Sequence, residues 1–297
     1  MSVTYRTLVD YLPELAHVVV DVVDIGANPI DGHPPYKPLL QRGGARVIGF
    51  EPAAEAYAEL EKAKGPHETY LPLAVGDGRE HTLHLCAASG MTSLLEPNPD
   101  LLRHFHGFEV WARVDRTERI RTTRLDDVEA IRNIDFLKID IQGFELEVFK
   151  HGEQKLSDAV VIQTEVEFLP LYKNQPLFTD VDSYLASRGF VLHRFWPLKS
   201  RTVRPMLVNG DIFQALGQVF DADAVYIRDF RRLDGLGEAK LEALAVVLND
   251  LYGSFDIAFL ALEALDRRRG TKLAAKYLAG LDATPGGARF TLSRPVE

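Results

Sequence analysis

VVVDVVDIGAN, residues 18–28, is a run of mostly β-branched residues that closes on Asp24-Ile25-Gly26-Ala27-Asn28. Its apolar positions follow no helical period, so it reads as a buried parallel strand. Gly26 lets the backbone turn sharply at the strand's end, with no side chain in the way. In an open α/β sheet, ligands bind outside the carboxyl ends of the strands, where this turn lies. The turn is therefore the expected seat of a nucleoside-containing ligand.

On the amino-terminal side, residues 4–15 carry Leu8, Leu12 and Leu15 on one helical face, with Pro13 interrupting the pattern. After the turn, Pro29, Pro34 and Pro35 forbid an immediate regular helix, and one resumes near Pro38. Strands are expected at 46–51, 69–74 and 81–87, with a helix at 53–64 closed by Gly65-Pro66. Residues 109–114 and 119–124 read as two strands around a charged turn at 115–118, and 125–132 as a helix. A second landmark is IDFLKIDI, residues 134–141, a strand ending in Asp140-Ile141-Gln142-Gly143 and leading into a helix at 144–151. Strands at 159–166, 190–196 and 220–230 follow, with a helix at 179–188. From Gly235 the pattern changes to three Ala- and Leu-rich helices at 239–249, 255–268 and 271–281, then a poorly ordered tail at 282–297. Strands alternating with helices define an α/β class with a doubly wound, mostly parallel Rossmann-like sheet. The expected domains are 1–234 and a helical extension, 235–297.

A net charge of −9 over 297 residues argues against broad nucleic-acid binding, which needs clustered Lys and Arg. Hydrophobic residues at 46% and charged residues at 26% are ordinary globular values. Cys86 is the only cysteine, so no disulfide forms within the chain, which fits a reducing compartment. Acids at 10, 14, 21 and 24 interrupt the amino-terminal apolar stretch, which reads neither as a leader nor as a membrane span. The expectation is a soluble, cytoplasmic protein with no membrane span, and self-association into a homo-oligomer is compatible with it.

Asp24, Glu51 and Asp140 fall at predicted carboxyl ends of strands, so the fold brings them to one rim. Glu51 lies about 20–30 residues past the glycine turn, where a carboxylate accepts from ribose hydroxyls. The alternative for Glu51 is a helix-capping acid. Asn28 stands where a dinucleotide site has its second glycine, and prolines follow it. That disfavours a pyrophosphate and hence NAD. Asp24 beside the turn suits a cationic group, such as an amino-acid ammonium. The combination favours S-adenosylmethionine, which carries an ammonium, a sulfonium and a ribose but no phosphate.

The succession DIGAN, IGFEP, LAVGDG and FLKIDIQGFELEVFKHGE resembles the FkbM family of S-adenosylmethionine-dependent methyltransferases, over roughly residues 19–195. The resemblance implies an O-methyltransferase acting on hydroxyls of sugars, polyketides or related metabolites. By motif match, Asp24, Gly26 and Asn28 line the methionine end of the cofactor, Glu51 with Pro52 the ribose, and Gly76 and Asp77 the adenine. Thr92-Ser93 matches a family loop, and Asp140, Gln142 and Glu145 match the D-[VI]-[EQ]-G-x-E segment, by which Asp140 and Gln142 are also expected to bind the cofactor. Two features depart from the pattern: Pro29 replaces the glycine that usually follows Asn28, and the helices after Gly235 lie outside it.

Methyl transfer to a hydroxyl needs an in-line approach and removal of the hydroxyl proton. Asp140 is the first candidate for base or substrate anchor, with Glu145 one turn beyond the Gly143 bend, or else a first-turn helix acid. Glu165 and Glu167 share a strand face and are further candidate acids, and His33 could act from the loop. Asp140, Glu165 and Glu167 could also give oxygen ligands to a hard cation, whereas nothing resembles a zinc site. Aromatic stretches at 168–172 and 195–198 could line an acceptor pocket, and the arginines at 228–232 and 267–269 could hold an anionic one. The expected partner is a small-molecule or glycan hydroxyl acceptor. A non-catalytic cofactor-binding scaffold, with partners on the carboxyl-terminal helices, is the competing reading.

Overall fold

The computed structural model describes residues 5–28 and 32–293. Pro29, the departure from the family pattern, lies outside the described residues. By its internal contacts the chain groups into two compact units. One comprises Met1–Asp21, Pro34–Arg46 and Arg228–Glu297, and the other Val22–His33 and Val47–Ile227.

The strands, in chain order, are β1 (Val20–Ile25), β2 (Ala45–Phe50), β3 (Glu68–Leu71), β4 (Ala74–Gly76) and β5 (Glu80–Cys86), then β6 (Val114–Arg124), β7 (Phe136–Ile139), β8 (Val161–Glu167), β9 (Phe190–Arg201) and β10 (Gln218–Arg228). Seven of them make one sheet in the order β3-β2-β1-β7-β8-β10-β9, and β4-β6-β5 make a second. β1, β7 and β8 are mutually parallel, as are β2 and β3, while β10 runs antiparallel to β8. This is the α/β, mostly parallel architecture expected from the strand–helix alternation.

The central strands are apolar because both of their faces are buried. Val23, Ile25, Phe50, Leu137, Ile139, Ile162 and Val166 join one buried cluster. Helices Glu145–Lys150 and Phe178–Ser187 contribute Leu146, Val148, Phe149, Val181 and Leu185 to it.

Several expected elements differ, each for a local reason. The strand expected at 69–74 is split between β3 and β4, with Pro72 between them, since proline cannot continue a ladder. Residues 115–118 are not a turn but part of the continuous strand β6, paired to β5 from Glu80↔Arg121 to Cys86↔Val114. Their charges pair along the exposed strand, Arg113 with Asp115 at 3.0 Å and Arg116 with Glu118 at 3.1 Å. A charged run without glycine or proline therefore marks an exposed strand here.

The helix expected at 125–132 shrinks to a single 3₁₀ turn, Leu125–Asp127. The Asp126 carboxylate instead accepts from Lys155 N (2.9 Å) and Gln154 N (3.3 Å), serving the first turn of Glu153–Leu156. β9 runs on past Pro197 because it is the edge strand, where a missing N–H costs no ladder bond.

In the unit that contains the carboxyl-terminal helices, Pro13 splits the first amphipathic segment into Leu8–Tyr11 and a 3₁₀ turn, Pro13–Leu15. Leu8, Leu12 and Leu15 are all fully buried, as their spacing predicts. Of the helices Glu238–Val247, Phe255–Arg269 and Leu273–Asp282, the first two are joined by a π-helical turn, Leu248–Tyr252. On that turn Asp250 accepts from Leu8 N at 2.7 Å and pairs with Arg42. The expected loose tail is tied down as far as Phe290, whose N–H donates to Asp282 at 2.7 Å and whose ring meets Phe255 and Tyr5.

Candidate active site

The ends of β1, β2 and β7 are stitched together by backbone. Gly26 N and Ala27 N donate to Phe50 O at 3.1 and 3.0 Å, and Asp140 N donates to Ile25 O at 3.0 Å. Gly26 has φ +81°, and a Cβ there would stand 2.0 Å from the Asp140 carbonyl oxygen. The glycine is thus demanded by the protein's own chain, because β7 passes where a side chain would project. Asn28 follows, partly exposed.

Asp24, at the end of β1, is buried with Lys138 Nζ at 3.4 Å, and the same Nζ donates to Gly26 O at 3.0 Å. Burial alone would lower the lysine's pKa, but the negative charges of Asp24 and Asp140 outweigh it and raise it. Lys138 therefore stays charged and braces the turn from below. Lys138 is not among the site residues expected from the sequence. The signal was there: a lysine inside an apolar strand has to find a carboxylate.

Glu51 lies just past β2 and is buried, and its Oε1 accepts from Ala53 N at 2.7 Å. That bond caps helix Ala54–Ala63, to which Pro52 leads. Burial, seconded by the charge of Asp24, raises the Glu51 pKa against the effect of the Ala53 bond. The capping reading is thus realised on one oxygen.

Beyond β7 the carboxylates crowd. Gln142 Nε2 donates to Asp140 Oδ1 at 2.8 Å and to Glu165 Oε2 at 2.5 Å. Glu145 Oε1 accepts from Ile141 N (2.8 Å) and Gly143 N (3.2 Å), so it clasps the bend 141–143 from the start of its helix. Glu165 and Glu167 on β8 face Asp223 and Asp221 on β10 in register, and Lys199 Nζ lies 3.1 Å from Asp221. Burial first, then the charge of Asp140 and of its neighbours, pushes Glu165 well above the usual carboxylate range. Burial does the same to Glu167, with Glu145 and Asp140 adding to it. Glu145 is pushed up to about 7, mainly by burial.

A carboxyl whose folded pKa exceeds its unfolded value stabilises the fold below the unfolded value, and that contribution is lost as pH rises through the folded one. For Glu145 the window runs from the ordinary 4.5 up to about 7. Glu145→Gln, which keeps an acceptor for Ile141 N, is expected to flatten the fall of Tm between about pH 5 and pH 8. A Tm–pH curve parallel to that of the parent would refute this.

Gly76 ends β4, and a Cβ there would press on Thr122 at 2.9 Å and on the Phe144 ring at 3.1 Å. The Asp77 carboxylate is already engaged. His81 Nε2 lies 2.7 Å away, Arg79 N donates at 3.0 Å and Thr122 Oγ1 at 3.1 Å. Burial opposes its ionisation, but the His81 bond and the others hold it down at about 2. What this segment can offer a nucleobase is the backbone around Gly76.

Other expected residues lie elsewhere. His33 is exposed. Among the described residues no group of three or more His, Cys, Asp or Glu could hold a metal ion, Asp140, Glu165 and Glu167 included. Phe168, Phe178 and Phe195 pack their rings on one another. The arginines considered for an anion pair with acids: Arg231 with Asp229, Arg267 with Asp234, and Arg269 with Glu238 and Glu242. Tyr172, from the aromatic stretch considered as pocket lining, is fully buried with its hydroxyl 3.0 Å from Gln142 Oε1.

Asp24, Glu51 and Asp140 thus lie at the carboxyl ends of β1, β2 and β7, beside the Gly26 bend, in a Rossmann-like α/β fold. The chain matches the methyltransferase FkbM domain over residues 24–192, more than half its length, and belongs to that family. It is 27% identical over 168 residues to the 2-O-methyltransferase NoeI of Sinorhizobium fredii. That match covers 52% of this chain and 66% of the relative, just under two thirds of the relative's length. Among solved structures, a precorrin-6y methyltransferase from Geobacter metallireducens is similar at 14% identity, over 74% of this chain and 88% of that one, with a TM-score of 0.35. TrmK of M. capricolum, determined with S-adenosylhomocysteine, is similar at 11% identity, over 91% and 97%, with a TM-score of 0.33.

The family's cofactor is S-adenosylmethionine, and the rim suits it. Glu51 accepts from Ala53 N, Asp140 accepts from the Gln142 amide, and Lys138 at the turn is paired with Asp24. Among the described residues no helix is long and apolar enough to cross a membrane.

Proposed function

We propose that this protein is an S-adenosylmethionine-dependent O-methyltransferase acting on a hydroxyl of a sugar, glycan or secondary metabolite. The observation that carries this reading is Asp140. It is a half-buried carboxylate at the carboxyl end of β7, oriented by the Gln142 amide and set beside Glu165 and Glu167, which burial drives toward their protonated forms. The similarity to a relative named as a 2-O-methyltransferase supports oxygen as the acceptor atom. A net charge of −9 favours a small or glycan acceptor over nucleic acid.

When bound, S-adenosylmethionine supplies an electrophilic methyl group on a sulfonium centre. Glu51 offers its second oxygen to the ribose hydroxyls. Asp24 acts through Lys138, which fixes the Gly26 carbonyl, and its charge adds to the attraction for the ammonium end. The backbone at Gly76 borders the adenine. Asp140 accepts a hydrogen bond from the acceptor hydroxyl and takes its proton. Glu145 keeps the 141–143 bend in shape, and Glu165 holds the far side of the Gln142 amide.

Calorimetry with S-adenosylmethionine, S-adenosylhomocysteine and NAD, followed by methyl transfer to a panel of hydroxylated glycans, tests this. The adenosyl ligands are expected to bind and NAD not. Glu51→Ala is expected to weaken S-adenosylhomocysteine about 10–100-fold, the worth of hydrogen bonds to a charged acceptor. Binding of NAD alone would sink the cofactor assignment, and undiminished binding by the Glu51 variant would sink the ribose role.

A further inference from the structure

Gln142 is the most tightly constrained side chain at the site. Its backbone is left-handed, φ +59°, and Gly143 follows at +99°. A long side chain rarely adopts that conformation, and it persists only where the surroundings over-determine it. Here they do. Ser93 Oγ donates to the Gln142 carbonyl at 2.7 Å, and the buried Tyr172 hydroxyl donates to its Oε1 at 3.0 Å. Both Nε2 hydrogens go to carboxylates, one to Asp140 and one to Glu165.

An amide can flip, exchanging oxygen for nitrogen. A flipped Gln142 would set its oxygen against two carboxylate oxygens, which accept but do not donate when ionised. The Tyr172 hydroxyl lies 3.0 Å from Oε1 and 3.2 Å from Met91 O, so its one hydrogen is shared between two acceptors, of which Oε1 is the nearer. In the observed orientation both amide hydrogens and the amide oxygen have partners.

We propose that Gln142 is a positioning residue for methyl transfer: locked by Tyr172 and Ser93, its amide fixes the Asp140 carboxylate on the rim and ties it to Glu165. This rests on the reading of Asp140 as the group that takes the acceptor's proton. Lys138 from β7, Asp24 from β1, Glu145 from its helix, Glu165 and Glu167 from β8, Asp223 and Asp221 from β10 and Lys199 from β9 supply the surrounding charge. Most of those groups are acids. A donor that serves two carboxylates at once lets them sit side by side with at least one of them ionised. With the proton retained by the more buried Glu165, the half-buried Asp140 is the one left open to substrate.

The test uses the full chain with Gln142→Leu, Tyr172→Phe and, as a reference, Asp140→Asn. The measurements are kcat and acceptor KM on an accepted glycan, S-adenosylhomocysteine affinity, Tm and the pH profile of kcat. Gln142→Leu is expected to lower kcat about 10–100-fold, the cost of a misplaced reacting group, with cofactor affinity held. The pH profile of kcat should change with it, because the donor that holds the Asp140 carboxylate in place is gone. Tyr172→Phe, which keeps the ring's shape, should change both in the same way, with kcat down about fivefold. It carries the test if leucine at a left-handed position fails to fold. Unchanged kcat and pH profile in both variants would overturn the proposal, as would losses of kcat that only track Tm and cofactor affinity. A fully active Asp140→Asn would instead overturn the reading on which the proposal stands.

Discussion

Asp140→Asn is expected to lower kcat by about 10²–10⁴-fold, the usual worth of a positioned general base. Affinity for S-adenosylhomocysteine, which lacks the sulfonium charge, should change little. The choice of Asp140 follows from what its neighbours are doing. Glu145 is buried, with one oxygen on Ile141 N and Gly143 N, and is pushed up to about 7. Glu165 is driven well up by burial and by the charge of Asp140, which favours its protonated form, and a protonated acid cannot accept a second proton. Asp140 alone of the three is half-buried rather than buried, so an acceptor can reach it. A variant that kept a tenth or more of the parent kcat, on the same acceptor and at several pH values, would remove Asp140 from this role.

The rim was legible in the sequence because strand ends announce themselves. Apolar runs that stop on Asp24, Glu51 and Asp140 placed three carboxylates on one edge before any coordinates, and the parallel register of β1 with β7 brings two of them there. What those acids bond to was not legible. Glu51 and Asp77 spend an oxygen on their own chain, and pairing of that kind depends on loop geometry that a string of letters does not carry. Lys138 could have been found, since its place in FLKID demanded a partner. The stretch 168–172 was picked out for its aromatics, but the bond from Tyr172 to Gln142 was not legible, because it depends on the packing of Leu171, Phe220 and their neighbours. The same limit explains β6, where pairing to β5 turned a charged segment from an apparent turn into a strand. Local propensity is a weak guide where tertiary partners decide.

Gly26→Ala is expected to be the most disruptive single-methyl change on the rim. Two costs add. The backbone sits at φ +81°, which costs an L-residue about 1–2 kcal/mol. The new Cβ would also stand 2.0 Å from the Asp140 carbonyl oxygen, a backbone atom that cannot rotate away. To relieve it, the turn and the end of β7 must part, breaking the Asp140 N to Ile25 O bond and shifting the Lys138 brace. Together the loss is expected at ~3–5 kcal/mol, the range of severe core defects. Gly43→Ala separates the two costs, because Gly43 has nearly the same φ, +77°, with nothing within 4 Å of a Cβ. It should lose only about 1–2 kcal/mol and keep its activity. Denaturant melts of both variants, read beside S-adenosylhomocysteine binding, decide the matter. If the two melts coincide, close packing of β7 is not what requires the glycine, and its freedom to turn is enough. If Gly26→Ala is several times worse and loses the ligand as well, the glycine in DIGAN is a contact between two strands of the protein itself. The cofactor then benefits from the glycine only because the two strand ends stay together.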